Sequence, residues 1–315
     1  MDRVWKKVLT ARLLPVAVVS ILYLIHNYTA DAVVLSGKDY FNWLLLAFFV
    51  AGLSNFLAFI LWKRRNSAVE RIIVLASIVI LAWDLIVTKF ALLKPPFFPT
   101  PGQVVQAYSD DLGILLSSAL YSLRILASGY LMGVAIGVSI GFLVGWYKLF
   151  RQWCLPLLKV VGPIPATALT ALAIAIFPGF SGSIFLIAFA TIFPVFMSTW
   201  SGVANVPKSL LETAQNLGAD DRFLVRRVVF PAALPSIFTG LYIGLLVSFL
   251  TLVVAEMLGV KAGLGWYIWR AQGWAEYYRV YAAVIIMGFL YSFLLSALFS
   301  IRNRLLRWQK GVIRW

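Results

Sequence analysis

The chain holds one cysteine, one histidine and only twelve acidic residues among 315, so the side chains that most often carry catalysis or bind metal are nearly absent. Cys154 alone excludes an internal disulfide, a Cys-x-x-Cys redox pair and a cysteine-based zinc site. His26 alone excludes every motif built on a histidine pair. No stretch has the form Gly-x-x-x-x-Gly-Lys-Ser/Thr, so nucleotide hydrolysis by a P-loop is not in this chain. Charged residues make up 12%, against 62% apolar and 15% aromatic, and the mean hydropathy is +0.91. That balance excludes a soluble globular enzyme. The net charge of +15 is not a nucleic-acid footprint, because the Lys and Arg residues sit between long apolar runs rather than on a polar domain.

Spanning the hydrocarbon core takes about 20 mostly apolar residues. Eight stretches qualify or nearly do, at residues 13–27, 43–62, 72–93, 123–146, 155–177, 184–200, 237–258 and 281–301. The first resembles the apolar region of a signal peptide, but no small-residue cleavage site comes after it, and it reads as a retained span. With eight spans, 20 of the 27 Lys and Arg fall on one side. Positive residues mark the cytoplasmic side, which places both termini and residues 204–236 there. The expected fold class is an all-α polytopic membrane protein.

Residues 1–66 read as two additional N-terminal transmembrane helices, set off by the basic turn Trp62-Lys-Arg-Arg-Asn66, from a unit covering 67–315. Four prolines in Lys94-Pro-Pro-Phe-Phe-Pro-Thr-Pro-Gly102 predict an ordered, extended linker. Gly129, Gly133, Gly137, Gly141 and Gly145 recur every four residues and form a groove along one helix face. Such a groove serves either ordinary packing within the chain or a place where subunits or moving helices meet. The fifth span is interrupted at Gly162-Pro-Ile-Pro165, which fits either a helix broken beside a substrate path or a proline kink near the surface.

The loop 204–236 between the sixth and seventh spans, about 33 residues, is too long for a passive connection. From Val206 to Gly218 the pattern predicts a short amphipathic helix: Pro207 in its first turn, Ser209 and Glu212 as a capping box, and Gly218 as its stop. Leu210, Leu211, Ala214 and Leu217 share a face. A second helix is expected to begin near Asp220 and Asp221 and to end near Arg226 and Arg227, with Pro231 and Pro235 punctuating the entry to the seventh span. A short amphipathic helix held on a glycine turn either docks into a partner's groove or packs on its own loop.

Glu212-Thr-Ala-Gln-Asn-Leu-Gly218, with Val228-Val-Phe-Pro231 beyond it, resembles the EAA loop of ABC importer permeases, whose pattern is Glu-Ala-Ala, three residues, Gly, nine residues, Ile, any residue, Leu-Pro. Thr213, Val228 and Phe230 depart mildly from it. Phe98-Pro-Thr-Pro-Gly-Gln-Val104, Gly162-Pro-Ile-Pro-Ala166, Arg226-Arg-Val-Val-Phe-Pro-Ala-Ala-Leu-Pro235 and Val254-Ala-Glu-Met-Leu-Gly259 with Gly263-Leu-Gly265 resemble the nitrate/sulfonate/taurine branch. The resemblance covers residues 72–315 and says nothing of the two extra helices.

It implies a type I ABC importer transmembrane fold, a six-span core with two added helices, in the bacterial inner membrane. It implies no enzyme activity and no cofactor on this chain, with ATP and Mg held by two ATPase subunits. A second permease copy and an extracytoplasmic substrate-binding protein would complete the complex. Nucleic acid is not an expected partner. By matched position, Leu211, Glu212, Thr213, Ala214, Gly218, Ala219, Arg226, Phe230 and Pro231 would couple to the ATPase. The cargo would be a small anion such as nitrate, a sulfonate, taurine or bicarbonate, or alternatively a vitamin precursor or another small organic solute.

Candidate path residues are Pro163, Pro165, Thr167, Thr170, Ser248, Thr251 and Glu256. The hydroxyls among them suit an oxyanion, although Ser and Thr in membrane helices commonly bond their own backbone. Glu256 either serves the path or pairs with Lys261 or Arg270, and Asp84 is expected to pair with Lys89. Arg124 either attracts anions or snorkels. The aromatic cluster from Trp266 to Tyr278 reads as an interfacial belt or a binding-protein contact. An ATP-independent secondary transporter would leave the ordered loop unexplained and would need an inverted repeat that is not seen.

Overall fold

The computed structural model describes residues 2–31, 38–62, 67–162 and 164–308, and every regular element among them is helical. Helix α1 spans Asp2–Tyr28, α2 Lys38–Trp62 and α3 Ser67–Asp84, which passes into a π-turn at Leu85–Lys89. Then come α4 (Pro101–Trp146), α5 (Lys148–Val161), a 3-10 turn (Ala166–Leu169) and α6 (Thr170–Ile176). The rest is α7 (Phe180–Ala204), α8 (Lys208–Asn216), α9 (Asp221–Phe223), a π-turn (Leu224–Val229), α10 (Phe230–Gly259), α11 (Leu264–Gly273) and α12 (Tyr277–Leu305). Long apolar runs become helices because in hydrocarbon each backbone polar group must find its partner within the segment.

By length and composition five helices can cross a membrane: Arg71–Lys89, Pro101–Trp146, Phe180–Ala204, Asp221–Gly259 and Tyr277–Leu305. The other three expected spans correspond to shorter apolar helices, Leu13–Tyr28, Asp39–Ser54 and Ala166–Ile176. The stretch 155–177 is not one helix, because α5 ends at Val161 and regular α-helix resumes only at Thr170. Pro165 lacks the N–H that would continue the ladder across this gap.

The chain divides into two compact units, Met1–Ile114 with Ala271–Val284, and Leu115–Arg270 with Ile285–Trp315. In the first, Leu22, Phe41 and Leu45 form a core against Ile80 and Leu81, which ties α1 and α2 to α3. The proline-rich stretch is non-helical, and α4 begins after it with a reciprocal cap. The Gln103 N–H donates to Thr100 Oγ1 at 3.3 Å and the Thr100 N–H donates to Gln103 Oε1 at 3.1 Å. Val104, Ala107 and Ala282 make a second core, where the Tyr108 hydroxyl donates to the Ala282 carbonyl at 3.0 Å. Asp111 departs from helical geometry inside α4, and its carboxylate lies 3.0 Å from Arg279 Nε.

Asp84 does not pair with Lys89. Its Oδ2 accepts from His26 Nδ1 at 2.9 Å, and both residues are buried. The Lys89 ammonium instead donates to the carbonyls of His26 and Thr29 and to Asp31 Oδ1. Both charges are answered by α1 and the segment after it.

In the second unit α7 packs between α4 and α10. Gly129, Gly133, Gly137, Gly141 and Gly145 of α4 meet Ile187, Thr191, Val195, Thr199 and Val203 of α7 in order, so the two helices run parallel. A Cβ at Gly133 would lie 2.7 Å from the Ala188 carbonyl oxygen, and one at Gly141 2.8 Å from that of Phe196. Glycine is what permits this approach. On the other side Gly202 meets Ser236 and Gly240 meets Ser198, an antiparallel contact with α10.

Helix α10 differs from expectation. No second loop helix ends near Arg226 and Arg227; from Asp221 to Gly259 the chain is one 39-residue helix. The Pro231 N is absent as a donor, and the widened π-turn at Leu224–Val229 absorbs the misfit, so Pro231 and Pro235 lie inside the helix.

Candidate functional site

Helix α8 starts at Lys208 with Pro207 as its N-cap and no side-chain cap, so the Ser209–Glu212 box does not form. Pro207 fixes the start of the helix earlier than the box requires. The C-terminus agrees with the sequence signal. The Gly218 N–H donates to the Gln215 carbonyl at 2.9 Å and the Ala219 N–H to that of Ala214 at 3.0 Å, with Gly218 at φ +85. This is a Schellman-type stop, which needs a left-handed residue after the helix. Asp220 then accepts from the Phe223 N–H at 2.9 Å and starts α9.

Leu211 packs on the cluster of Val203, Val206, Val229, Ala233 and Ile237, so α8 is seated on the ends of α7 and α10. Ala214 and Ala219 are half-buried. Glu212, Thr213, Gly218, Arg226 and Phe230 are exposed, and Pro231 is half-buried. Leu210 and Leu217 do not join Leu211 against the chain: they are 48% and 83% exposed, with Phe223 at 51% a few residues on. The surface that leaves the protein therefore carries Leu210, Leu217 and Phe223 among exposed polar residues, Glu212, Thr213, Gln215, Arg222 and Arg226. Phe223 carries no sequence signal of its own, because it stands beside charged residues and outside any periodic pattern. Beside this loop Val138, Ser139, Phe142, Leu143, Val225, Arg226 and Phe230 line a groove of about 480 Å³, with the Phe142 and Phe230 rings 6.4 Å apart.

A second cavity, about 530 Å³, lies at the broken helix. Its walls are the end of α5 with Ile164, Pro165 and Ala166, the α7 stretch around Phe189 and Phe193, and Ile243 and Val247 of α10. Of the candidate path residues only Pro165 lines it, and Pro163 falls outside the described residues. Thr167 is exposed. The hydroxyls of Thr170, Ser248 and Thr251 donate to the carbonyls of Thr167, Leu245 and Val247 at 2.7, 2.9 and 2.9 Å, within their own helical turns. The aromatic wall does have a sequence signal, Phe185, Phe189 and Phe193 spaced by four on α7, but such a stripe looks the same whether it lines a cavity or faces lipid.

Glu256 is fully buried and meets neither Lys261 nor Arg270 as an ion pair among the described residues. Its Oε2 accepts from the Gly265 N–H at 2.8 Å. Arg270 lies over the Trp266 ring and Arg124 over that of Phe180, with guanidinium carbons 5.7 and 5.4 Å from the centroids. Tyr267 is buried, whereas Trp269 and Trp274 are exposed. Among the described residues no three His, Cys, Asp or Glu side chains gather as a metal site.

The sequence matches the family described as binding-protein-dependent transport system inner membrane component over residues 133–310. It is 34% identical to a nitrate import permease of Leptolyngbya laminosa, over 69% of this chain and 72% of that one. It is 30% identical to a Bacillus subtilis protein named for aliphatic sulfonates transport, over 76% and 87%. It is 29% identical to the taurine transport system permease of Escherichia coli, over 80% and 94%. The fold resembles an inward-facing structure of the MetNI methionine ABC transporter, with a TM-score of 0.53 and 18% identity over 62% of this chain and 98% of that one. The all-helical bundle, the seated α8 loop and these likenesses agree, and the chain belongs to the binding-protein-dependent transport system inner membrane components, as a permease subunit of the nitrate/sulfonate/taurine type in ABC importers.

Proposed function

We propose that this permease carries a small anion such as nitrate, a sulfonate, taurine or bicarbonate inward, driven by ATP hydrolysis on two separate ATPase subunits. Residues 67–315 form the permease domain and residues 1–66 are an addition to it. A second copy of the chain completes the pore, and an extracytoplasmic binding protein delivers the solute. Both termini and the 204–236 loop lie in the cytoplasm, supported by the 20 cations gathered on that side.

The observation that carries the reading is the α8 helix, which is fixed to α7 and α10 through Leu211 while Leu210 and Leu217 stand exposed. Exposed leucines set among polar and charged residues on a short helix suit a groove on a partner. Leu211, Glu212, Thr213, Ala214, Gly218, Ala219, Arg226, Phe230 and Pro231 form the coupling element. Closure of the ATPase dimer biases the helices between two states, with ATP and Mg bound on the partner. The path runs past the broken helix, by Pro163, Pro165, Thr167 and Thr170, with Ser248 and Thr251 on α10. Within the same importer class, the carbon-lined cavity at the break favours a second cargo, a small organic solute such as a vitamin precursor, over an inorganic anion.

The test is affinity purification of the tagged chain from native membranes, beside a Gly218→Pro variant. Proline cannot adopt φ +85, so the helix stop is lost while the spans are untouched. An ATPase that accompanies the natural chain and leaves the variant is the expected result. Its absence from both would overturn the coupling reading.

A further inference from the structure

Glu256 is the most deeply buried carboxylate of the second unit, and its partners are not the cations nearby in sequence. Oε2 accepts from the Gly265 N–H in the first turn of α11, and Oε1 has no hydrogen-bond partner among the described residues. The next amide back, the Leu264 N–H, donates at 2.9 Å to Ser122 Oγ on α4, and Ser122 also neighbours the Glu256 carboxyl. Gly263, at φ +101, brings the backbone so close that a Cβ would overlap that carboxyl, and a Cβ on Gly265 would lie 2.7 Å from the Val253 carbonyl oxygen. Two free amides of a helix start are thus taken by one side chain from α10 and one from α4.

Burying a carboxylate costs several kcal/mol, and an apolar residue would fill the same space without that cost. What the carboxylate adds is a directional bond at the positive end of α11. Helix α10 is joined through the π-turn at Leu224–Val229 and α9 in one helical run back to Asp221, with α8 seated against it at Val229 and Ala233; the stretch from Ala233 to Glu256 is a rod of about 35 Å at 1.5 Å per residue. We propose that Glu256 is a positioning residue that locks α11 to α10, so that displacement of the α8 end is passed through the rod to α11. This rests on the coupling role given to α8 above.

The test uses the full chain with its co-purified ATPase. Cys154→Ser removes the native thiol, and Trp269→Cys places a thiol on the exposed face of α11. A second chain carries Leu217→Cys on the coupling loop instead. A membrane-impermeant maleimide is added without nucleotide and with Mg-ATP plus vanadate. With Glu256 intact, the labelling rate at 269 changes about fivefold or more, the lower edge of coupling between two states. Glu256→Gln keeps an acceptor for Gly265 and retains the change, and Glu256→Ala abolishes it. Glu256→Met, close in size and with no acceptor for the Gly265 N–H, decides the matter if Glu256→Ala does not assemble. The proposal is overturned if Glu256→Ala, or Glu256→Met in its place, responds as fully as the natural residue. It is also overturned if the thiol at 217 responds to nucleotide while that at 269 does not, an outcome that leaves the coupling role of α8 standing. A silent thiol at 217 would instead remove that role and the joint with it.

Discussion

Replacing His26 with leucine removes the hydrogen-bond donor to Oδ2 of Asp84, a carboxylate that is 1% exposed. The other oxygen, Oδ1, already has no hydrogen bond among the described residues. Removing one partner of a buried pair costs about 3–5 kcal/mol, because the remaining charge stays out of water. Replacing Asp84 with leucine leaves a neutral imidazole without its acceptor, a loss of about 1–3 kcal/mol. The double variant removes both polar groups and leaves two apolar side chains against Phe41, whose ring lies 4.4 Å from that of His26. A well-packed apolar replacement of a buried pair is close to neutral. The expected order of thermal unfolding midpoints in detergent is therefore natural chain and double variant together at the top, Asp84→Leu below them, and His26→Leu lowest. The coupling energy between the two sites is therefore about 4–8 kcal/mol, far outside the scatter for independent positions. A double variant as unstable as the two single losses added together would show that the pair does not interact, and the account of this site would be wrong.

Packing and exposure set two further outcomes. Gly133→Ala and Gly141→Ala each force a methyl onto a carbonyl oxygen of α7, so each lowers the unfolding midpoint by the equivalent of about 1–3 kcal/mol, while Gly113→Ala, with nothing within 4 Å of its Cβ, does not. Leu217→Glu places a charge on a side chain that is 83% exposed, so the unfolding midpoint is unchanged while co-purification of the ATPase falls; an unaltered yield of ATPase would remove Leu217 from the docking face.

The features legible in the sequence are those set by short-range backbone chemistry. Gly218 stops α8 because a residue free to take positive φ completes that cap, and the glycines from 129 to 145 are visible as a groove from spacing alone. Which helix fills the groove is not visible, since α7 lies much further along the chain and only the fold brings it there. Capping-box spacing occurs both at Ser209–Glu212 and at Thr100–Gln103. The first fails because Pro207 already occupies the cap position, and the second, which forms, is masked by the prolines around it. The π-turn at Leu224–Val229 has no reliable residue signature, so beyond the true start at Asp220 and Asp221 the arginines at 226 and 227 and the two prolines imitate a helix stop. Glu256 stands out in the sequence as costly to bury, but its partner is a backbone amide, which no pairing of charged residues can reveal.

Buried charge also decides how the two N-terminal helices belong to the fold. Along the sequence they look like an addition, because the resemblance to permeases begins after them. In the first compact unit, however, α3 carries a buried Asp84, and the π-turn that extends it carries a buried Lys89; both polar ends are met from α1 and the segment just past it. Intramembrane charges on one helix that are satisfied by another cannot be left behind without exposing hydrocarbon to an unpaired group. Asp84 and Lys89 therefore make α1 part of the packing of α3 whatever its history. Without α1 both groups would lose their partners, so these two side chains bind α1 to the rest of its unit, while the core of Leu22, Phe41 and Leu45 against Ile80 and Leu81 holds α2 there as well.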